Sequence, residues 1–576
     1  MKYSILKSIC WLIVVFFTSS TIVFAQKKAI KKPNVIVILT DDMGYSDVGC
    51  FGSEIKTPNI DRLAQNGLSF THFYNTARCS PTRASLLTGL YPHQAGMGHL
   101  STENYKELGY VDDLSKNAVT LAEVFKQAGY ATYMTGKWHI AKNLKKEGDK
   151  SNWPCQRGFE RYFGTLNGSG SYYDPGTLIS NNTFITPGKD FYYTNAISDT
   201  TVKFIKEHKI NKPFFFYVAY TAAHWPLHAP ESEVQKYKGI YDKGWDATRE
   251  ARFTKLKKLG IISDKAVLTE RGVSIPEWKD EKMKDWQVRR MEVYAAMIDV
   301  MDQGIGRIIT ALEQKGELDN TIIFYMHDNG GCAESLNSNQ IEVPATAEQQ
   351  LGKRYAKDSI FMGKQPLYSR EGEFIRSGKG VMPGNANSWV TYGEEWANVS
   401  NTPFRLYKHW AHEGGIASPL IIHWPKGITT KGTLNNQSTH LIDIMATCVD
   451  IAGIKYPKEF NGNAIQTYEG VSLQPTFHNK TIHRDYIFWE HEGNRALRSG
   501  KWKLVSKTQK NKVFTLADQN AWELYDMEND PTETKNVSSL YPDKVKKNSA
   551  VWEKEANRTM AKPWPWESKK VIKNNQ

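Results

Sequence analysis

The sequence contains few cysteines and no long apolar run. Its 576 residues include six cysteines, and none of them has the close spacing that is typical of a zinc site. No segment reaches the roughly 18 consecutive apolar residues that a membrane-spanning helix needs. Internal repeats and recognisable nucleic-acid-binding modules are also missing. These absences exclude a cysteine-based zinc module, a membrane-spanning segment, a repeat array and a nucleic-acid-binding module of known type.

The N-terminal segment has the features of an export signal. Lys2 and Lys7 precede the apolar run 9–17, and a polar break then leads to small residues that end at Ala25. We therefore expect cleavage after Ala25, so that 1–25 is a signal peptide and the protein is periplasmic or secreted. Cys10 lies within the apolar run, away from the small residues of a lipoprotein cleavage site, so we expect no membrane anchor.

Five cysteines remain after this predicted cleavage. An odd number in an exported protein leaves one thiol without an intramolecular partner, and Cys79 is the one that we expect to stand apart. The others are either buried thiols or members of up to two disulfides. They are Cys50, Cys155, Cys332 and Cys448.

The chain is basic, with a formal net charge of +13. A basic balance fits an anionic substrate, although it also fits the needs of solubility. The basic runs near the two ends, at 27–32 and 544–547, are interpreted as solvated tails. We therefore expect no nucleic-acid partner.

Two apolar runs, at 35–39 and 321–326, each predict a strand that is buried on both faces of a parallel sheet. Each run is followed by two oxygen-bearing side chains, and carboxylates at such a place are costly unless a hard cation compensates them. Oxygen ligands favour Ca²⁺ or Mg²⁺ over zinc. The alternative is a surface turn in which an aspartate caps a helix. The predicted ligands are Asp41, Asp42, Asp328 and Asn329.

A predicted helix N-terminus follows Cys79. Ser80 is a good N-cap, Pro81 suits the first helical position, and Gly89 is a typical helix stop. Unpaired backbone N–H groups and the helix dipole favour an anion at this end, and Arg83 adds a fixed charge one turn into the helix. The alternative is that Cys79 is a small buried hydrophobic residue.

Predicted helices and strands alternate along the first 455 residues, which is typical of an α/β fold. The basic region 241–258 is interpreted as an exposed excursion with a solvated charged face, and 330–400 as a loop-rich segment over the active site. The predicted helices are 118–128, 195–208, 286–315 and 441–452, and further buried strands are predicted at 131–134, 213–220 and 419–424.

Short runs of alternating aromatic and charged residues begin after residue 455. The runs at 487–505 and 522–526 predict a hairpin and a further strand of an antiparallel sheet. We therefore expect a catalytic domain at 26–455 and a smaller C-terminal α+β domain with a tail at 456–576.

Two motifs carry a resemblance to a known family. Cys79-x-Pro-x-Arg83 followed by Leu-Thr-Gly resembles the signature of the type I sulfatases, in which the cysteine is oxidised to formylglycine. The second signature of that family, Gly-Lys-x-His, occurs here at 136–139. The chain looks most like bacterial arylsulfatases. This resemblance implies an alkaline phosphatase-like fold, in which helices flank a large mixed, mostly parallel sheet, with a smaller C-terminal α+β domain built on an antiparallel sheet.

The resemblance also implies a mechanism. A separate formylglycine-generating enzyme would convert Cys79, and one hydroxyl of the aldehyde hydrate would attack sulfur while the other later expels sulfate. Arg83 and His139 would hold the hydrate, Lys137 and Lys408 would bind sulfate oxygens, and His224 would protonate the leaving alcohol or phenol. Residue 79 would join the predicted Ca²⁺ ligands. His228, four residues after His224, is interpreted as peripheral.

Three substrate or function classes remain open from the residues. The first is a sulfatase that acts on a sulfated small molecule or glycan. The second is a phosphodiesterase or phosphonate monoester hydrolase of the same superfamily. The third is a non-catalytic binder of sulfated glycans.

Overall fold

The strands follow the apolar runs of the sequence. The computed structural model describes residues 32–565, apart from 102–104, 106, 210, 336–359, 361–364 and 508–521. The predicted signal peptide lies outside these residues. The strands of the described part are β1 (Asn34–Thr40), β2 (Leu68–Tyr74), β3 (Ala131–Lys137), β4 (Arg161–Thr165), β5 (Leu178–Ser180), β6 (Thr183–Phe184), β7 (Phe214–Ala219), β8 (Thr321–His327), β9 (Arg376–Ser377), β10 (Ser388–Trp389), β11 (Ala417–His423), β12 (Thr433–Asn435), β13 (Thr439–His440), β14 (Glu459–Phe460), β15 (Asn463–Ala464), β16 (Ile487–His491), β17 (Asn494–Ser499), β18 (Trp502–Ser506) and β19 (Glu523–Asp526).

The helices begin and end at recognisable local signals. Thr120 caps one of them through a capping box with Glu123, and Gly89 ends another with a positive φ of 71°. Over the same described residues the helices are α1 (Pro58–Gln65), α2 (Cys79–Thr88), α3 (Leu121–Gln127), α4 (Tyr193–Glu207), α5 (Glu231–Val234), α6 (Gly244–Lys258), α7 (Lys284–Gln314), α8 (Gly393–Ser400), α9 (Glu413–Ile416), α10 (Asp443–Ile451) and α11 (Pro542–Arg558).

One mixed sheet of eleven strands forms the middle of the fold. Its order is β12-β2-β11-β8-β1-β7-β3-β4-β5-β6, with β13 also paired to β2. Around β1 the strands β8, β7 and β3 are parallel to one another, whereas β11 runs antiparallel to β8 and β2. The predicted mixed, mostly parallel sheet is confirmed.

Helices cover both faces of this sheet. Side chains of β1 alternate between two cores: Ile36 and Ile38 pack in the core that contains α4 and α7, and Val35 and Val37 pack in the core with α2, α3 and α10. Because both faces of β1 are buried, its sequence is continuously apolar instead of alternating with polar residues.

A second, four-stranded antiparallel sheet lies near the C-terminus, in the order β16-β17-β18-β19. Lys503 of β18 is fully buried, and its ammonium lies 2.7 Å from both Glu413 and Glu533. This shared ion pair ties the C-terminal sheet to α9, just before β11. The described residues from Pro33 to Pro565 pack as one compact unit. The predicted domain boundary near residue 455 stays a prediction.

The basic region 241–258 is only in part the exposed excursion that its composition indicates, because many of its charged residues are exposed but two arginines are buried. Residues Gly244–Lys258 form α6, and Arg252 on this helix is only 1% exposed. Its guanidinium lies 2.7 Å from Asp47 and 2.8 Å from Glu54. The interpretation of Arg252 as part of a solvated face is wrong, because acidic partners distant in the sequence compensate its burial.

Three further expectations concern the segment 330–400, the cysteines and membrane-spanning helices. In 330–400 much of the segment lies outside the described residues, but its end forms α8. All five cysteines of the described part are free thiols, three of them buried, which decides the alternative that the sequence left open. Among the described residues, no helix combines the length and apolar character needed to cross a membrane.

Candidate active site

The carboxyl ends of β1 and β8 bring the predicted cation ligands together. Thr40 and His327 are partners in the parallel register, so the residues that follow them leave the sheet side by side. The backbone N–H of Asp42 donates to Oδ1 of Asp328 at 3.1 Å, and the Nδ2 of Asn329 donates to Oδ1 of Asp42 at 2.8 Å. Two distant segments therefore form one cluster of oxygen-bearing side chains.

This cluster is buried and incompletely hydrogen-bonded. Asp41, Asp42, Asp328 and Asn329 are each at most 1% exposed. Oδ1 of Asp41 and Oδ1 of Asn329 have no hydrogen-bond partner within the described part of the chain. A buried acceptor without a donor is costly, so these two oxygens indicate a ligand that supplies positive charge. Asp41 and Asp42, with His224, can also direct ligand atoms to one point.

Cys79 is the first residue of α2. The helix begins two residues earlier than predicted, because the N–H of Thr82 donates to the carbonyl of Arg78 and makes Arg78 the N-cap. The prediction that Ser80 caps the helix is wrong, and its hydroxyl has no hydrogen-bond partner among the described residues. Pro81 remains compatible because the first N–H groups of a helix have no acceptor in the helix. Cys79 is 3% exposed.

The first turn of α2 lies against the carboxylate cluster. The Thr82 hydroxyl donates to the carbonyl of Asp328 at 2.7 Å. Arg83 is fully buried, and its guanidinium lies 3.3 Å from Asp328 and 3.4 Å from Asp41. It also donates to the carbonyl of Lys137 at 3.1 Å. The predicted residues of the Cys79 segment thus face the predicted cation ligands.

Two lysines complete the polar contacts of the cluster. Lys137, at the end of β3, donates to Oδ2 of Asp41 at 2.6 Å. Lys408, from the segment before β11, donates to both carboxylate oxygens of Asp42 at 2.7 and 3.0 Å. Both ammonium groups are nearly inaccessible to solvent. Each predicted sulfate-binding lysine therefore lies beside a predicted cation ligand.

The charged side chains of the site leave it complementary to an anion. Burial opposes ionisation of Asp41 and Asp42, but nearby lysines, Lys137 and Lys408 respectively, hold the pKa of each carboxyl below its usual range. Burial and the Asp41 carboxylate raise the pKa of Asp328 well above its usual range, which favours its neutral form. Three basic side chains thus face two ionised carboxylates, and an added divalent cation would leave the site positive in either form of Asp328.

Two histidines border the same cluster. The Nδ1 of His224 lies 2.7 Å from the carbonyl of Trp225, so this nitrogen donates and Nε2 faces Asp42 at 3.5 Å. His139 follows β3 with a positive φ of 58°, and its ring lies on Gly168, where a Cβ would meet the ring at 2.3 Å. Burial lowers the pKa of both histidines. His228 is instead fully buried, 2.7 Å from the Ser388 carbonyl.

Sequence reasoning missed a polar group beside Cys79. Arg78 lies 2.8 Å from Glu334 and also contacts His409. Trp225 donates to Glu334 at 3.0 Å. Part of this group could have been found from the sequence, because Arg78 directly precedes Cys79 and His409 directly follows Lys408 in the chain. Glu334 carried no signal, since it lies in a segment without periodicity and its partners are far away in the sequence.

Comparison with known proteins agrees with this geometry. The family model named Sulfatase matches residues 33–454, and a model named N-sulphoglucosamine sulphohydrolase, C-terminal, matches residues 404–557. The chain belongs to the sulfatase family. As a sulfatase, it is a sulfuric ester hydrolase, and the resemblance read from its two motifs is confirmed.

Relatives of this sulfatase cover almost its whole length. An uncharacterised sulfatase of Schizosaccharomyces pombe is 32% identical over 92% of this chain and 94% of its own. An arylsulfatase of Klebsiella aerogenes is 33% identical over 77% of this chain and 91% of its own. A structure solved with its substrate D-glucosamine-2-N,6-O-disulfate has a TM-score of 0.59 at 21% identity, over 93% of this chain and 99% of that one. The last likeness concerns the fold alone.

Proposed function

We propose that this sulfatase hydrolyses a sulfate monoester of a sugar or a phenol, with formylglycine made from Cys79 and with a bound Ca²⁺. The observation that carries the proposal is the cluster of unpaired carboxylate and amide oxygens at the N-terminus of α2. Arg83 lies one turn along α2 from residue 79, and Lys137 and Lys408 contact the same carboxylate cluster, so a bound sulfate group would meet positive charge on several sides.

The oxygen cluster fits a hard cation. Asp41, Asp42, Asp328 and Asn329 would hold Ca²⁺ together with residue 79, and the two unpaired oxygens of Asp41 and Asn329 would gain a ligand. When bound, the cation would draw charge from the sulfate oxygens and lower the pKa of the nucleophile. Ca²⁺ is preferred to Mg²⁺ because protein oxygens alone can supply most of its ligands.

The surrounding side chains would bind the substrate and move a proton. Lys137 and Lys408 would turn toward the sulfate oxygens, and Arg83 and His139 would orient the hydroxyls of residue 79. The Nε2 of His224 faces the cluster, because its Nδ1 is held by the Trp225 carbonyl. In its imidazolium form, which Asp42 and Asp41 favour, His224 would keep the Nδ1 proton on the Trp225 carbonyl and deliver the Nε2 proton to the leaving oxygen, returning to the neutral ring. Because His224 is fixed by its own backbone neighbour, it would need no rearrangement before the transfer.

Two proposals concern the export and the maturation of the protein, which precede catalysis. We propose that 1–25 directs export and is removed after Ala25, so that the enzyme works in the periplasm or outside the cell. A formylglycine-generating enzyme would act on Cys79 before the segment folds, because the thiol is 3% exposed in the folded chain. The substrate would be a sulfated small molecule or a glycan.

The test combines mass spectrometry with turnover. The protein is produced with and without a formylglycine-generating enzyme, and the peptide that contains Cys79 is analysed alongside hydrolysis of 4-nitrophenyl sulfate. We expect turnover to scale with the aldehyde fraction and to vanish in Cys79→Ala. Bis-4-nitrophenyl phosphate, which has the same leaving group, is the control for the phosphodiesterase alternative. Full activity without the aldehyde, or faster turnover of the phosphodiester, would contradict the proposal.

A further inference from the structure

A second polar cluster lies on the wall beside Cys79, and the proposed mechanism does not use it. We refer to it as the acidic rim. Its residues are Arg78, His99, Glu334, His409, His491 and Glu492. The backbone N–H of His409 donates to the backbone carbonyl of Ala77 at 2.9 Å. This bond holds that part of the rim directly against the segment that carries Cys79.

The rim is open to solvent in part, unlike the cation cluster. The side chains of Glu334, His409 and Glu492 are 24%, 30% and 17% exposed. Glu334 accepts from Arg78, the residue before Cys79, at 2.8 Å and from Trp225, the residue after His224, at 3.0 Å, so it lies beside the place proposed for the sulfate. A group attached to that sulfate would therefore reach the rim.

The histidines of the rim are arranged to donate hydrogen bonds, not to bind a metal. The N–H of Leu100 donates to Nδ1 of His99, so Nε2 carries the proton that faces Glu492 at 2.8 Å. Arg78 contacts Nε2 of His409, so Nδ1 carries the proton that faces Glu492, also at 2.8 Å. A nitrogen that carries a proton cannot ligate a metal ion.

His491 indicates that the rim receives a ligand. Its side chain is 2% exposed, and Nε2 lies 3.5 Å from Oε1 of Glu492. Because the Nε2–H faces this carboxylate, Nδ1 is left as an acceptor, and Nδ1 has no hydrogen-bond donor among the residues that the structure describes. Burial lowers the pKa of His491 to about 4, so the ring is neutral. A hydroxyl or amine of a bound molecule could donate to Nδ1.

The net charge of the rim is negative. Burial opposes ionisation of both carboxyls, but Lys408 and Arg78 hold the pKa of Glu334 well below its usual range, and the ring N–H groups of His491 and His409 that face Glu492 keep its pKa well below its usual range. Two carboxylates thus face one guanidinium, that of Arg78. An anionic group brought to this wall would be repelled, whereas an amine would be attracted.

We infer that the acidic rim is the subsite for the leaving group and that it selects a sulfate ester whose alcohol or phenol is neutral or cationic, such as a singly sulfated sugar or amino sugar. A second sulfate or a carboxylate on the leaving group would be excluded. This inference rests on the proposed function, because it specifies the alcohol or phenol part of the sulfate ester that the proposed active site would hydrolyse.

The test uses substrates that differ only in the charge of the leaving group. One pair is D-glucosamine 6-sulfate and D-glucosamine-2-N,6-O-disulfate, and the other is the sulfate esters of tyramine and of 4-hydroxyphenylacetate. We expect kcat/KM for the amine to exceed that for the anion by about tenfold in each pair that is turned over. Equal values, or a preference for the anion, would overturn the inference while leaving the proposed function intact. Hydrolysis of neither pair by an enzyme that turns over 4-nitrophenyl sulfate would overturn the inference alone, whereas failure to hydrolyse any of these esters with the aldehyde present would refute the proposed function as well.

Two variants assign the preference to the rim. Glu492→Gln and Glu334→Gln each remove one negative charge and keep the shape of the side chain. We expect each to reduce the amine-to-anion ratio by at least about threefold, chiefly through faster turnover of the anion. Glu250→Gln, at an exposed position on α6, is the matched control and should leave the ratio unchanged. Thermal unfolding checks that the variants fold, and an unchanged ratio in both folded variants would remove the assignment to the rim.

Discussion

The Nζ of Lys137 lies 2.6 Å from Oδ2 of Asp41, and neither side chain is accessible to solvent. The pair joins β3 to the end of β1 across the intervening strand β7. Water reaches neither charge of a buried ion pair. Removing one of the two charges therefore leaves the other without compensation. Lys137 therefore has a structural role in addition to its proposed contact with sulfate.

Lys137→Met should destabilise the protein by about 3 kcal/mol when a chelator is present, because the Asp41 carboxylate is left without its nearest cation. Turnover of 4-nitrophenyl sulfate should also fall by about 10²-fold or more. The matched control is Lys236→Met, whose partner Glu233 is also 2.6 Å away but whose ammonium is 40% exposed. That variant should change the unfolding free energy by less than about 1 kcal/mol. Equal effects in urea unfolding would contradict this account.

Calcium should stabilise the folded protein by coordinating the oxygens of the cluster that lack hydrogen-bond partners. At a free concentration of about 100 times Kd, the expected gain is about 2.7 kcal/mol in the free energy of unfolding, measured by urea titration against a chelated sample. Asp328→Asn should lose most of this gain because one anionic ligand is missing. In the chelated state the same variant should be as stable as the wild type or more so, because it removes a carboxylate beside Asp41 and Asp42. A full calcium response in Asp328→Asn would rule out this ligand set.

His224→Gln should slow turnover in proportion to the need for a proton on the leaving oxygen. For a sugar sulfate, whose alcohol leaves poorly, kcat/KM should fall by about 10²- to 10⁴-fold. For 4-nitrophenyl sulfate, whose phenolate leaves readily, the loss should be much smaller. The measurement is the dependence of kcat/KM on leaving-group pKa in a series of aryl sulfates. An equal loss across the series would show that His224 acts in binding instead.

Buried neutral histidines should make the protein less stable in acid. Burial lowers the pKa of His228 to about 4, and its ring is fixed by the Ser388 carbonyl and the N–H of Tyr172. Because the unfolded chain then binds more protons than the folded one, stability is lost as pH falls from about 6.5 to about 4, by up to about 3 kcal/mol for this residue.

The check compares His228→Gln with the wild type by urea unfolding at several pH values between 7 and 4. We expect the variant to be less stable at pH 7 but to have a shallower pH dependence. His483→Gln is the control, because the His483 side chain is 91% exposed and should not contribute to this slope. If His228→Gln and the wild type lose stability in parallel, His228 is not the source of the effect.

Prediction from the sequence was accurate where local pattern decides the structure. The apolar run 321–326 became β8, and the helical spacing of 286–315 became α7. It was wrong at the start of α2, where Ser80 looked like a cap but the carbonyl of Arg78 begins the helix. Local capping preference was overridden by the way the first turn packs on Asp328.

The sequence by itself determined five strands of the central sheet (β1, β3, β7, β8 and β11), the sulfatase motifs and the oxygen-bearing residues at the strand ends, whereas the other six strands of that sheet were not predicted. Those features depend on residues that are close together in the chain, so periodicity and spacing show them. Only the tertiary structure decided which charges meet. Lys408 and Asp42 are 366 residues apart, and Arg252 and Asp47 are 205 apart, yet each pair is buried in contact. The cost of burying such a charge is offset by a partner that the fold brings from a distant segment. No local sequence pattern predicts which partner that is.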